Sequence, residues 1–366
     1  MFSTRSLVAA AVTAFVVGII TSLALRPTDN LPEPRVSGDN QEQVVRHKWR
    51  MPLSSSRSLP GSGEQPIWLT ERVKQASNGA FIIEIFDPGE IVPAFAINDA
   101  VSDRKVQAGW TWIGYDQGKI PASSLIAAAP FGMEPTAYVG WWLFGNGREL
   151  SEKIYAEHNI KPLLCAITGP ETAGWFSEPI KRAEDLNGLK IRFAGLGGRT
   201  LQRLGASVTM IPAGEIFQAL ETGVIDATEY SQPVVDQALG FSRIAKFNYF
   251  PGWHQPFTAT HMMINLDVWE ALPSQDQTLL DTACLGTVMY GLSLTESLQG
   301  PVIEEFKSQG ISTQVLSPEL LASLKVAADE VMEEEASKDL YFKEVLESQR
   351  TYKAAHDQWR ELAYPK

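Results

Sequence analysis

Short apolar runs that alternate with amphipathic segments constrain the fold of this chain most strongly. Strand-like runs occur at residues 80–86, 106–114, 161–167, 188–195, 206–211, 223–229 and 260–265. Helical patterns separate several of these runs, as at residues 197–205 and 213–223, which end at the stop signals Gly205 and Gly223. Strand, helix and strand in this rhythm predict an α/β fold whose strands pair in parallel.

The length and the C-terminal pattern extend this prediction. A chain of 366 residues can form two domains of ordinary size, each with its own core. After Pro273 the pattern becomes helical, with one long run to Phe306 and another from Ser317 to Trp359. We therefore expect long C-terminal helices packed on an α/β body.

The N-terminus has the composition of an export signal. Arg5 precedes an uncharged apolar run, and small residues stand at the positions that a signal peptidase reads. We predict a signal peptide over residues 1–24 and a flexible leader over residues 25–46, which places the mature protein in the periplasm. The alternative is an uncleaved anchor, since residues 7–25 nearly suffice to cross a bilayer.

Charge and cysteine content limit the partners. A formal net charge of −12 disfavours nucleic acid, because binding phosphates requires a basic face. It leaves room for a small anion in a local basic pocket. Cys165 and Cys284 each lie in an apolar run, so two buried free thiols are the preferred interpretation, although export permits a disulfide.

Polar groups at strand ends are the candidate binding residues. Arg192 alternates with Ile191 and Phe193 near the end of a strand, either as a solvent-facing side chain or as a two-pronged grip for a carboxylate. Glu229 and Tyr230 follow another strand. In α/β sheets, ligands bind beyond the carboxyl ends of strands.

A loop carboxylate and several aromatic side chains could complete the same site. Glu171 lies in the loop "TGPETAGWF" after residues 161–167. We expect about half of the candidate aromatic residues to line the site, since most tryptophans fill cores; the candidates are Trp110, Trp112, Tyr115, Trp175, Tyr230 and Trp253. Common hydrolase, metalloprotease and nucleotide-binding motifs are absent from the sequence.

Several segments resemble one family. "SEPIKRAEDLNGLKIRFAG" is similar to the hallmark segment of the extracytoplasmic solute receptors of tripartite ATP-independent periplasmic (TRAP) transporters. "PGEIVPAFAINDAVSDRKVQAG", "AAAPFGM" and "PAGEIFQALETGVIDATEY" resemble further family stretches in the same order. The resemblance implies a two-domain, periplasmic-binding-protein-like α/β fold with a ligand cleft between the domains. It assigns residues 47–166 with part of 255–300 to domain I, and residues 167–254 with part of 301–366 to domain II.

The closest likeness is to the branch that binds 2-oxo or 2-hydroxy carboxylates, such as pyruvate or lactate, together with a metal cation. By this resemblance Arg192 clamps the ligand carboxylate. Glu229 supplies a carboxylate and Tyr230 a backbone carbonyl to the cation. Partners in this family are the small and large TRAP membrane subunits, and a homodimer is expected for some members.

The resemblance also assigns roles to loop and wall residues. Tyr115 touches the substrate, Trp253 forms an aromatic wall, and Glu171 takes the position of a glutamine that ligates the cation. Two carboxylates are hard oxygen donors and favour calcium over sodium. The chain also ends soon after "HDQWRELAYPK", which leaves dimerisation through a swapped terminal helix open.

Two other functions remain open at this point. Glu171 could meet an amino-bearing ligand directly, with no metal. Glu171 and Glu229 could also act as an acid/base pair in an enzyme.

Overall fold

The computed structural model describes residues 44–363. The predicted signal peptide at residues 1–24 and nearly all of the predicted leader lie outside this range. Within residues 44–363 no helix is both long enough and apolar enough to cross a membrane.

The strands are short and spread over the whole described chain. They are β1 His47–Pro52, β2 Phe81–Phe86, β3 Ala108–Trp112, β4 Ile160–Ile167, β5 Gly174–Phe176, β6 Lys190–Arg192, β7 Ser207–Thr209, β8 Ala227–Thr228, β9 Phe247–Phe250, β10 Ala259–Asn265 and β11 Ser312–Val315. All seven runs predicted from the sequence contain a strand. Four strands, β1, β5, β9 and β11, were not predicted.

Helices connect the strands and dominate the C-terminal region. They are α1 Glu64–Ala76, α2 Ile97–Ser102, α3 Ser123–Ala127, α4 Pro135–Phe144, α5 Gly147–Ala156, α6 Gly195–Arg203, α7 Ala213–Glu221, α8 Pro233–Ala238, α9 Leu266–Glu270, α10 Ser274–Ser308, α11 Pro318–Lys338 and α12 Leu340–Ala363. The predicted long C-terminal helices are therefore confirmed.

The second predicted C-terminal helix is divided at Asp339. This residue has extended backbone angles (φ −130°, ψ 122°), which end α11. Its Oδ1 accepts a hydrogen bond of 2.6 Å from the backbone N–H of Phe342. A carboxylate in this position satisfies a free N–H at a helix start, so α12 begins as a new helix.

The largest sheet has the order β11-β9-β5-β8-β6-β7. Strand β6 is parallel to both β7 and β8, and α6 and α7 connect these three strands. The predicted parallel α/β units are confirmed here. Strand β5 is antiparallel to its neighbours β8 and β9, so the sheet as a whole is mixed.

The prediction of parallel pairing is wrong for the three-stranded sheet β3-β10-β4. Strand β10 is antiparallel to both neighbours. It follows a long excursion of the chain rather than a single crossover helix, so nothing forces it to run parallel. A separate pair, β1 and β2, is parallel.

The cysteines form a disulfide between Cys165 and Cys284, which corrects the interpretation as free thiols. Cys165 lies in β4 and Cys284 in α10, and both belong to one buried apolar cluster with Trp110 and Leu280. The two residues are separated by 119 positions in the sequence. Their proximity arises from the packing of α10 on β4, which local patterns do not reveal.

We predict that removing the disulfide destabilises the protein. A cross-link that closes a loop of 119 residues restricts the unfolded chain, and we expect Cys165→Ala with Cys284→Ala to lower the free energy of unfolding by about 2–5 kcal/mol. Urea unfolding of the variant and of wild type, with and without reductant, measures this. Equal stabilities of wild type and variant without reductant would contradict it.

A buried histidine predicts how stability depends on pH. His261 in β10 is fully buried beside Trp142, at 5.1 Å between ring centroids. Burial lowers its pKa to about 3. In the unfolded chain the His261 ring takes up a proton as the pH falls through about 6.5, whereas the folded protein keeps the ring neutral. The contribution of His261 to the free energy of unfolding is therefore fully present above that pH and is lost as the pH falls below it.

We therefore expect wild type to lose about 2 kcal/mol more than His261→Leu between pH 7 and pH 5. The difference between the two proteins isolates His261 from other titrating groups. Denaturant unfolding at several pH values measures it, and identical pH profiles would refute the assignment.

Candidate functional site

Two parallel strands bring a cation and an anion to one edge of the large sheet. Arg192 is the last residue of β6, and Glu229 directly follows β8, with Arg192 paired to Thr228 across the strands. The backbone N–H of Glu229 donates to the Arg192 carbonyl at 3.1 Å. The carboxyl ends of both strands therefore present these side chains at one place, as the sequence analysis expected.

Arg192 and Glu229 form a buried ion pair. Arg192 Nη1 donates to Glu229 Oε1 at 2.8 Å and to the Glu229 carbonyl at 2.7 Å. The backbone N–H of Ala194 donates to the same Oε1 at 2.5 Å. Both side chains are only 1–2% exposed. Burial acts to raise the pKa of Glu229, but the charge of Arg192 and the contact with His254 outweigh it, so the pKa is lowered.

One end of the Arg192 guanidinium remains available for a ligand. Its Nε donates to the Ile211 carbonyl at 3.2 Å. Among residues 44–363, its Nη2 donates to the weak acceptor Met210 Sδ at 3.7 Å, and the Tyr115 hydroxyl lies near the guanidinium. The ring of Tyr230 lies 5.3 Å from the guanidinium carbon and supports it by a cation–π contact. The Nη2 group can therefore donate to a carboxylate in the adjacent cavity.

Glu171 lies on the loop between β4 and β5 and is 1% exposed. Its Oε1 accepts hydrogen bonds from Thr258 Oγ1 and, at 3.3 Å, from Gln255 Nε2. Burial raises the pKa of this carboxyl group, and contacts with His254 and Thr258 partly oppose that effect. A Cβ at Gly252 would lie 2.4 Å from the Glu171 carbonyl oxygen, so this close approach requires glycine.

His254 lies between the two glutamates. Its Nε2 is 3.4 Å from Glu171 Oε2 and 3.7 Å from Glu229 Oε2. Burial alone would lower its pKa, but the two carboxylates outweigh burial and raise the pKa to about 9. The imidazolium therefore balances, together with Arg192, the negative charge of the two glutamates.

These side chains have the chemistry of a cation site. Ligand atoms of Glu171, Glu229 and His254 all lie within 4.8 Å of one another. The Oε2 atoms of both glutamates are buried and have no hydrogen-bond partner among residues 44–363. Two unsatisfied carboxylate oxygens in a buried site fit a hard cation such as calcium or sodium. The proposed carbonyl ligand of Tyr230 stays a prediction.

A cavity of about 70 Å³ adjoins this cluster. Five of the residues selected from the sequence contribute to its wall: Tyr115, Glu171, Arg192, Glu229 and Tyr230. Trp110 and Trp112 also line it, so four of the six candidate aromatic side chains face the cavity.

The structure does not bring the two other predicted aromatic residues into the wall. Trp175 is fully buried, and its Nε1 donates to the buried carboxylate of Asp236 at 2.8 Å. Asp236 in turn accepts a hydrogen bond from the backbone N–H of Ser231, next to Tyr230. Trp253 packs between Phe131 and Phe193, at 5.7 and 6.0 Å between ring centroids. Both tryptophans therefore support the site from the core.

Sequence reasoning missed His254, Gln255 and Thr258. All three lie in the segment "PGWHQPFT", where polar side chains stand among aromatic ones without a spacing that marks a site.

We predict that the ion pair stabilises the fold as well as the site. Arg192→Met leaves Glu229 buried without its cation and should lower the free energy of unfolding by about 3–5 kcal/mol. The double variant Arg192→Met/Glu229→Gln should recover part of this loss. Arg203→Met, which breaks half-exposed pairs with Glu330 and Glu334, is the control and should cost less than about 1 kcal/mol.

Chemical denaturation of the three variants and wild type measures these differences. An Arg192→Met cost no larger than that of the control would contradict the assigned role of the pair.

Comparison with known proteins identifies the family. Residues 67–339 match the family model described as bacterial extracellular solute-binding protein, family 7. A monocarboxylate 2-oxoacid-binding periplasmic protein of Nostoc sp. is 35% identical over 320 residues, which are 87% of this chain and 88% of the relative.

Two solved structures are similar in sequence and fold. A TRAP periplasmic solute-binding protein from Colwellia psychrerythraea, with bound calcium and pyruvate, has a TM-score of 0.84 at 31% identity, covering 87% of this chain and 97% of the other. One from Pseudoalteromonas atlantica, with bound sodium and pyruvate, has a TM-score of 0.84 at 29% identity and the same coverage. The chain therefore belongs to family 7 of the bacterial extracellular solute-binding proteins.

Proposed function

We propose that this protein is the periplasmic receptor of a TRAP transporter and binds a small 2-oxo or 2-hydroxy monocarboxylate together with a hard cation. The observation that carries this proposal is a guanidinium nitrogen whose hydrogen-bond contact within residues 44–363 is a weak sulfur acceptor, next to two buried carboxylate oxygens that have no hydrogen-bond partner there. Arg192 Nη2 would hold the ligand carboxylate. Glu171 and Glu229 would hold the cation, and the 2-oxo or 2-hydroxy oxygen would complete its coordination.

The size of the cavity supports a small ligand. A volume of about 70 Å³ corresponds to roughly five water positions. That is room for an acid of three or four carbon atoms. Pyruvate and calcium or sodium in the two similar structures agree with this size and chemistry.

Charge favours calcium over sodium. Two carboxylates and a ligand anion carry three negative charges, of which Arg192 balances one. A divalent ion beside Glu171 Oε2 and Glu229 Oε2, which have no hydrogen-bond partner within residues 44–363, would balance the other two and would repel the proton of His254, whose Nε2 lies 3.4 and 3.7 Å from the same atoms. The ion would supply the electrostatic bridge between protein and ligand. The protein groups would supply the orientation and exclude water.

Release to the membrane subunits completes the proposed role. We propose that residues 47–166 with part of 255–300, and residues 167–254 with part of 301–366, close on the ligand as two domains. The proposed role includes no chemical reaction. Export through the segment at residues 1–24 belongs to the same proposal, and a homodimer stays a prediction.

The test is thermal unfolding of the metal-stripped mature protein with 2-oxo, 2-hydroxy and amino acids, each with calcium, with sodium or with neither. A ligand at 100 times its Kd stabilises the folded state by about 2.7 kcal/mol, and the expected rise in Tm requires both the acid and an ion. A rise with an acid alone, or only with amino acids, would contradict the metal-bridged site. Turnover of any of these acids would instead support the enzyme alternative.

Glu171→Gln tests the choice of ion. The variant keeps an oxygen ligand but loses one negative charge. We therefore expect the calcium-dependent rise in Tm to shrink until calcium and sodium give equal rises. Glu178→Gln, an exposed residue in the same stretch of chain, is the matched control and should behave as wild type. An unchanged preference for calcium in Glu171→Gln would show that Glu171 does not hold the ion.

A further inference from the structure

The wall of the cavity is unusually poor in aliphatic side chains. Among the described residues that line it, only Ala194 and Val235 are aliphatic. The other members are aromatic, charged, or bear a hydroxyl or amide group. A receptor for acids with alkyl side chains would gain affinity from an apolar wall, because pockets bind such groups mainly through apolar contact. This wall instead combines aromatic rings with hydroxyl, amide and charged groups.

Part of the polar wall comes from the segment between β1 and α1 and from the first turn of α1. Ser54, Ser55, Ser62 and Gln65 all line the cavity, and none of them belongs to the Arg192 and glutamate cluster. Gln65 Nε2 donates to the Gly61 carbonyl at 2.6 Å, which orients the amide and leaves its oxygen as an acceptor. The segment therefore presents hydrogen-bonding groups from a second direction.

Two polar atoms in the same wall lack partners. Ser62 Oγ and Trp112 Nε1 are both buried and make no hydrogen bond within residues 44–363. A buried polar atom without a partner destabilises the folded protein, because it has lost its hydrogen bonds to water and gained none in exchange. A ligand group that forms hydrogen bonds to these atoms would bind more tightly, whereas an alkyl group in the same place would leave both atoms without a partner.

We propose that Ser62, Gln65 and Trp112 form a polar subsite that selects an acid with a hydroxyl group at its third carbon over one with a methyl group there. The inference rests on the proposed function and specifies its substrate class. The hydroxyl can accept from Trp112 Nε1 or Ser62 Oγ and donate to the Gln65 oxygen. The limited volume of the cavity confines the ligand to this short chain length.

Hydroxypyruvate and 2-oxobutyrate provide the matched ligand pair, since they differ by a hydroxyl and a methyl group of similar size. Isothermal titration of the mature protein in calcium buffer gives a Kd for each, and for pyruvate as the reference. We expect hydroxypyruvate to bind about tenfold more tightly than 2-oxobutyrate. Equal affinities, or tighter binding of 2-oxobutyrate, would overturn the proposal.

Variants assign the preference to the subsite. Ser62→Ala and Trp112→Phe should each reduce the ratio of the two Kd values by about threefold or more, because each removes one hydrogen-bonding atom. Because the measured quantity is the ratio of the two Kd values, a loss of affinity that both ligands share does not change it. Ser58→Ala, exposed in the same segment, is the control and should keep the wild-type ratio.

The outcomes separate this inference from the proposed function. If pyruvate and both test acids fail to bind, the proposed function fails and the subsite inference fails with it. If pyruvate binds but the hydroxyl gives no preference, only the subsite inference fails. A preference that persists unchanged in both Ser62→Ala and Trp112→Phe would overturn the assignment to these residues.

Discussion

The buried ion pair between Arg192 and Glu229 is the interaction on which the rest of the site depends. It joins the ends of two parallel strands and fixes the direction of both side chains. Arg192 Nη1 and Nε donate to oxygen atoms of the protein, so Nη2, whose protein contact is a weak sulfur acceptor, remains for a ligand. Glu229 Oε1 accepts from Arg192 Nη1 and from the Ala194 N–H, so Oε2 remains for the proposed cation. The Arg192–Glu229 ion pair therefore determines which atoms of the two side chains remain for the proposed anion and cation.

Two carboxylates and two basic side chains meet in this buried site. Glu171 is held by Thr258 and Gln255 through one oxygen, and its other oxygen faces His254. Within residues 44–363 these two carboxylate oxygens are buried and have no hydrogen-bond partner, which opposes folding and makes them candidates for a binding role. The His254 ring, which lies 3.4 and 3.7 Å from them, balances part of their charge when it is protonated. The core tryptophans hold the loops that carry these groups.

Much of the fold could be read from local patterns, because β6, β7 and β8 and their connecting helices follow the α/β rhythm. The antiparallel insertion of β10 and the pairing of Cys165 with Cys284 could not, since both depend on contacts between residues distant in the chain. Arg192 and Glu229 were predictable because each stands at a strand end. His254 was not, because a lone histidine in an aromatic segment has no spacing that marks it as part of a site. The sequence suggested Trp175 as a residue of the cavity wall, but the structure buries it and its Nε1 donates to Asp236, a contact that no local pattern indicates.

A crystal structure of the mature protein with calcium and pyruvate tests the central claim most directly. The account predicts anomalous density for one ion about 2.3–2.6 Å from Glu171 Oε2 and Glu229 Oε2, which is the calcium–oxygen distance. It also predicts the pyruvate carboxylate within hydrogen-bond distance of Arg192 Nη2. Pyruvate bound with no ion between the two glutamates, or with its carboxylate away from Arg192, would contradict the account.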